Sequence, residues 1–230
     1  YSMYFIDFMG FGFSPLPPDK DFTFKAQANR IVSFIKSNNL RNVVLIGHSF
    51  GGGVALMVQA CNQSDSLGLD IVKLVLIDPG CYMTDIPFFI HFLKNPVLNF
   101  FSTKMTPVKT RAKIIVRKTF KNKARISPAI IDRNVYFFSR ENYNYAVTQA
   151  ARQIVPTDYH KWINAYSQIK VPTLIIWGRN DKMIKLANGE RLHSQMLNSQ
   201  LHVLDECGHV PQEEYPEKTA KLIIDFIIRN

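Results

Sequence analysis

The sequence predicts an α/β fold, a mostly parallel sheet flanked by helices, with an inserted α-helical cap. Three observations predict it. Short apolar runs recur at Val43–Ile46, Ile71–Ile77, Thr173–Trp177 and Gln200–Leu204. Between them apolar residues return at helical spacing, the alternation expected of a parallel sheet covered on both faces. That rhythm fails from about Cys81 to Gln168, an aromatic and basic stretch with helical periodicity and several breakers. Residues 1–80 and 169–230 are therefore expected to form two parts of one core, and residues 81–168 the cap.

The elements follow in order. Tyr4-Phe5-Ile6 reads as a short buried strand ending at Asp7 and the turn-rich GFGFSPLPP. Phe24, Ala28, Ile31, Val32 and Ile35 give a helix over Thr23–Asn38. Val43–Ile46 reads as a strand, Val54–Cys61 as a helix, and Ile71–Ile77 as a strand stopped by Asp78-Pro79-Gly80. After the cap come a strand at Thr173–Trp177, a helix near Leu186–Leu197 and a last strand at Gln200–Leu204. Pro216 suits a first helical turn and opens a final helix with Ala220, Leu222, Ile223, Phe226 and Ile227 on its apolar side.

Composition narrows the function classes. With 47% apolar and 20% charged residues the chain can build a substantial core. No apolar run reaches the roughly eighteen residues a membrane span needs. Cys61, Cys81 and Cys207 lack any metal-ligand spacing, which predicts free thiols, a cytoplasmic location and no structural zinc. The net charge of +10 sits in one segment: Ile86–Ile131 holds ten Lys or Arg and no Asp or Glu. Its run Lys104–Arg125 is expected either to face solvent or to make weak contact with anionic substrates or a membrane surface. Only Phe120 interleaves that run and no nucleic-acid motif is present, so nucleic acid is not an expected partner.

The chemistry concentrates at Gly47-His48-Ser49-Phe50-Gly51, between a strand and a helix. In that context G-x-S-x-G holds a serine on a tight turn, its hydroxyl projecting above the sheet. Residues two away on either side are expected to be glycine because backbone passes too close for a Cβ. Gly52 and Gly53 are expected to let the helix pack closely. A phosphate cradle would need a glycine pattern or a lysine that GHSFGGG lacks. A nucleophilic serine needs a base, and the base an orienting acid. Of six histidines, His209 stands in a loop after the last strand, on the rim where strands end, as Ser49 does. His48 adjoins the serine on the wrong side to reach its hydroxyl. His91 and His160 lie in the cap, His193 reads as a surface position, and His202 falls mid-strand, suiting packing or orientation. Asp181, just past a strand end in LIIWGRND, is the expected acid. Asp78 in LIDPG is the reserve, more simply read as capping a turn.

YFIDFMGFGFS, GHSFGG, WGRND and CGHVPQEEYPE, in this order, resemble the strand-four segment, nucleophile elbow, acid loop and histidine loop of the α/β-hydrolase superfamily. The resemblance covers essentially the whole chain. It implies Ser49 as nucleophile, Asp181 as acid, His209 as base, and the Phe50 N–H as one oxyanion donor, with no metal or organic cofactor. One departure stands out: the family's earlier strands, with a His-Gly loop that supplies a second oxyanion N–H, have no counterpart. The chain starts at Tyr1, so an N-terminally incomplete piece of a longer protein is expected.

The cap segment IPFFIHFLKNPVLNFF is dense in phenylalanine, and Phe88, Phe89 and Phe92, with His48, are the expected substrate contacts. These readings converge on a serine hydrolase of hydrophobic carboxylic esters, with a small hydrophobic acyl compound as its partner. Thioesters, lactones and amides share the machinery. A carbon–carbon hydrolase of the same fold is the alternative, weakened by Val210 and His48 where such enzymes commonly carry Trp and Asn. A catalytically weak ligand-binding member is a second alternative.

Overall fold

The computed structural model describes residues 1–82, 90, 93–95 and 104–228. Phe88, Phe89 and Phe92 lie outside the described residues. Four strands form one parallel sheet in the order β1 (Val43–His48), β2 (Ile71–Ile77), β3 (Thr173–Gly178) and β4 (Ser199–Leu204). Register is continuous from Gly47 opposite Leu76 to Leu76 opposite Ile175. Sequential parallel strands send every C-terminal end to the same rim, where ligand sites of open α/β sheets collect.

Helices α1 (Phe24–Ser37) and α2 (Phe50–Ser64) precede and follow β1. Between β2 and β3 come α3 (Val108–Thr119), α4 (Pro128–Phe138), α5 (Tyr143–Arg152) and α6 (Tyr159–Tyr166). Helix α7 (Leu186–Gln195) joins β3 to β4, and α8 (Pro211–Glu214) and α9 (Pro216–Ile228) close the chain. Local chemistry sets several starts. The Thr23 side chain accepts from the Ala26 N–H at α1, and Ser127 accepts from Ile130 at α4, whose first residue is Pro128.

The two-residue period of the strands sorts the core into two layers. Leu74, Leu76, Ile175 and Trp177 face α1, α2, α6 and α7 through Phe24, Ala28, Leu56, Tyr166 and Leu192. Val75, Ile77, Leu174 and Ile176 face the other way, onto Phe226, Leu222 and Ile223 of α9. A third cluster joins Val116 and Phe120 at the end of α3 and Ile131 of α4 to Val210, the residue after His209.

Two expectations are corrected. Tyr4-Phe5-Ile6 forms no strand: Phe5 is 91% exposed and Tyr4 and Ile6 are also exposed. A strand requires a neighbour to take its N–H and C=O groups, and none of the described strands pairs with this triplet. The helix after Ser49 begins at once, at Phe50 rather than Val54, so the three glycines are helical. Of the basic segment, Lys109, Lys113, Arg117 and Lys118 are exposed on α3, whereas Arg125 stacks on Tyr215 and Lys121 pairs with Glu206. Among the described residues, no helix is long and apolar enough to cross a membrane. All three cysteines are free thiols.

Leu76 is fully buried between two strands and against the α1–α2 layer. Leu76→Ala is expected to destabilise the fold by about 2–5 kcal/mol, read as a lowered urea midpoint at unchanged slope.

Candidate active site

Ser49 occupies the turn between β1 and α2 with φ 51° and ψ −118°, a left-handed conformation that costs a non-glycine residue on the order of 1–3 kcal/mol. Backbone bonds hold it there: its N–H donates to Ile77 (2.9 Å), and its carbonyl accepts from Gly53 (3.1 Å) and Gly80 (2.8 Å). A serine before a helix ordinarily caps it, yet this hydroxyl makes no capping bond. Its Oγ–H donates to His209 Nε2 at 2.9 Å instead.

The glycines beside it are not equivalent. A Cβ on Gly47 would lie 2.4 Å from the Gly51 carbonyl oxygen, so the turn closes only without one. A Cβ on Gly51 would meet nothing nearer than the Phe8 ring at 3.6 Å, ordinary contact. The expectation that both positions exclude side chains holds for Gly47 alone. Gly52 and Gly53 approach Pro79 and the Gly80 carbonyl too closely for a Cβ, in keeping with close helix packing.

His209 and Asp181 are brought together with Ser49 from loops 160 and 132 residues away in sequence. His209 Nδ1–H donates to Asp181 Oδ2 at 2.7 Å. Asp181 Oδ1 accepts from the N–H groups of Met183 (2.6 Å) and Ile184 (3.0 Å), which fix the carboxylate plane. Both side chains are nearly inaccessible to water, so the pair acts across a low-dielectric gap. The result is a hydroxyl, an imidazole and a carboxylate in one hydrogen-bonded line, able to move a proton off the hydroxyl. Phe50 is the first residue of α2, where a helix leaves its N–H without an intrahelical acceptor. Its ring packs on Phe24 (4.5 Å), Phe8 (5.8 Å) and Phe11 (6.3 Å), an apolar wall that periodicity did not reveal.

The remaining histidines stand apart or support. His48, expected to touch substrate, turns its Nε2–H onto the His209 carbonyl at 2.7 Å, with the two rings 4.9 Å apart. Burial, then the neighbouring His209, push its pKa down to about 4, so it is a neutral donor. His160, His193 and His202 are exposed; in the edge strand β4, His202 faces water rather than packing. His91 lies outside the described residues. A surface depression of about 350 Å³ lined by Asp19, Asp21 and Arg30 at the start of α1 includes none of the three aligned groups.

Sequence reading missed the groups that hold the histidine loop. Glu214 is fully buried and its carboxylate accepts from the N–H groups of Gly208 (2.8 Å), Lys121 (3.0 Å) and Asn122. The His209 N–H donates to the Thr119 carbonyl at 2.7 Å, the end of α3. Only the acidic doublet in PQEEYPE hinted at Glu214, and nothing local told it from Glu213, which pairs with Arg133 instead. His48, Asp78 and His209 bring ligand-capable atoms within 4.8 Å of one another, and each already has a hydrogen-bond partner.

Two outcomes test this geometry. Gly47→Ala should cost about 3 kcal/mol or more while Gly51→Ala stays within about 1 kcal/mol, both read by urea denaturation. His48 has its folded pKa lowered from 6.5 to about 4, so its contribution to stability is present above pH 6.5 and is lost as pH falls towards 4. The difference in unfolding free energy between wild type and His48→Gln should therefore shrink by about 1.4 kcal/mol per pH unit within that window. A pH-independent difference would contradict the neutral ring.

Comparison with known proteins agrees with this architecture. An alpha/beta hydrolase family model matches residues 1–222. Monoacylglycerol lipase ABHD6 of Mus musculus is 30% identical over 90% of the chain, which spans only 62% of that relative's length. The uncharacterized hydrolase YugF of Bacillus subtilis is 27% identical over 99% of the chain and 80% of its own length. Among solved structures, an esterase from Exiguobacterium antarcticum superimposes with a TM-score of 0.79 at 21% identity, covering 97% of this chain and 80% of that one. A 2-hydroxy-6-oxo-6-phenylhexa-2,4-dienoate hydrolase from a Rhodococcus strain gives 0.76 at 16% identity, covering 97% and 78%. Strand order, the serine-bearing turn and the matched family model lead to one conclusion: the chain belongs to the alpha/beta hydrolase family.

Proposed function

We propose that this protein is a serine hydrolase that cleaves a hydrophobic carboxylic ester through an acyl-enzyme. The observation that carries this reading is the unbroken line from Asp181 through His209 to the Ser49 hydroxyl. Ser49 Oγ attacks the substrate carbonyl as His209 Nε2 takes its proton. Asp181 stabilises the imidazolium that results. The carbonyl electrons collect on an oxyanion that accepts from the Phe50 N–H, at the positive end of α2; one such donor is worth about 10²–10³ in rate. Collapse expels the alcohol, which receives the His209 proton. Water then repeats the sequence on the acyl-enzyme and frees the acid and the serine.

The partly exposed rings of Phe50, Phe8 and Phe11, packed together beside the Ser49 turn, support an apolar acyl group in this reading. Helices α3 and α4, packed through Val116, Phe120 and Ile131 onto Val210, act in this proposal as the cap beside the histidine loop. The monoacylglycerol lipase relatives are consistent with ester chemistry. Carbon–carbon hydrolysis is the second reading, favoured by a 72-residue stretch 39% identical to a 2-hydroxy-6-oxononadienedioate/2-hydroxy-6-oxononatrienedioate hydrolase of Pseudomonas putida.

A series of p-nitrophenyl esters from acetate to long acyl chains separates the readings. Turnover that falls by about 10⁴-fold or more in Ser49→Ala, with a preference for longer chains, is the expected result. Ester turnover unchanged by that substitution would exclude Ser49 as nucleophile. Silence on every ester, with cleavage of a vinylogous 1,5-diketone acid, would move the assignment to the carbon–carbon reaction.

A further inference from the structure

Asp78 ends β2 at the same rim, one strand before Asp181, and is completely buried. Its backbone is held in the left-handed region (φ 39°), and its N–H donates to the Ile176 carbonyl at 3.0 Å. The position is structurally defined, and the side chain is not needed to cap the turn before Pro79. Oδ1 accepts from the Gly178 N–H at 3.0 Å. Oδ2 is buried and no donor reaches it among the described residues. The Asp78 and Asp181 side chains are close enough to share a hydrogen bond. Two touching carboxyl groups out of water cannot both be ionised, because each lacks the solvent that would screen the repulsion. Donor supply decides which keeps its charge. Asp181 receives three N–H donors, from Met183, Ile184 and His209, and Asp78 receives one.

We propose that Asp78 is a neutral carboxylic acid whose Oδ2 proton is donated to Asp181, making it a positioning residue for the Asp181–His209 pair. This fourth hydrogen bond adds to the three that already hold the Asp181 carboxylate. It also leaves the Asp78–Asp181 pair with a single negative charge, matching the single positive charge that forms on His209. Burial first, and the Asp181 charge second, raise the Asp78 pKa well above 3.8, in accord with this assignment. The titratable groups facing it are Asp181 from the end of β3, His48 from the end of β1, and His209 and Cys207 from the loop after β4. Because the folded pKa is raised, the stability associated with the proton is present at low pH and declines as pH rises through it.

The role in turnover rests on the ester-hydrolase reading; the proton does not, and the two are measured separately. In protein labelled at the aspartate carboxyl carbons, the Asp78 signal, assigned by its loss in Asp78→Asn, is expected at the protonated position at pH 7. It should move only on raising the pH. A signal at the ionised position at pH 7 would overturn the proposal whatever the activity. For positioning, Asp78→Asn keeps a neutral donor towards Asp181 and an acceptor for Gly178, and should retain kcat within about threefold. Asp78→Leu removes both and should lower kcat by about 10²-fold at unchanged KM. A loss in Asp78→Asn as large as in Asp78→Leu would mean that the carboxyl acts through its charge, and would overturn the donor role. Full activity in Asp78→Leu would remove the positioning role. Absence of ester turnover in the wild type would count against the ester reading and leave the carboxyl titration as the deciding test.

Discussion

The buried carboxylate of Glu214 holds the site together. It takes backbone N–H groups from two places far apart in the chain: Gly208 in the histidine loop, and Lys121 and Asn122 just beyond α3. Hydrogen bonds to a charged, desolvated acceptor are among the stronger ones, on the order of 1.5–3 kcal/mol each. The Thr119 carbonyl completes the tie by accepting from His209 itself. The strands could place Ser49 and Asp181 without help, since both follow strand ends. His209 sits five residues beyond the end of β4 and depends on this clamp.

The contact works because backbones approach closely. A Cβ on Gly208 would fall 2.2 Å from the Thr119 carbonyl oxygen, and one on Gly178 would overlap the Gly208 carbonyl. Gly208 thus lets the loop lie between β3 and the end of α3, and Val210 then joins the apolar cluster of Val116, Phe120 and Ile131. The inserted helices are coupled to His209 through this one loop. A displacement of α3 would reach His209 through its bond to the Thr119 carbonyl, the Glu214 clamp and a packed valine.

Electrostatics follows from the same burial. A neutral His48 donates to the His209 backbone, a neutral Asp78 donates to Asp181, and the charge is left to Asp181, which has the most donors. Two carboxyl groups in direct contact away from water cannot both hold a charge. Ser49 meets the opposite demand: its strained backbone denies the hydroxyl its usual capping bond and leaves it to the imidazole.

The amino-acid order by itself determined the parallel α/β plan, because four short apolar runs separated by helical spacing leave few other ways to bury them. It also determined the candidate line Ser49, Asp181, His209, because each stands in the loop that follows a strand and a parallel sheet gathers those loops on one rim. Folding had to decide the rest, since it turns on neighbours far away in the chain. Tyr4-Phe5-Ile6 has the composition of a strand and no described partner, and pairing is not a local property. Gly47 and Gly51 look alike in GHSFG, yet only the closed turn shows which one meets backbone. Asp78 looked like a turn residue until the sheet placed it against Asp181, and Glu214 and Glu213 differ only in which way the helix points them. Residue type and spacing specify what a side chain can do; the three-dimensional packing specifies what it is next to, and so which of those things it does.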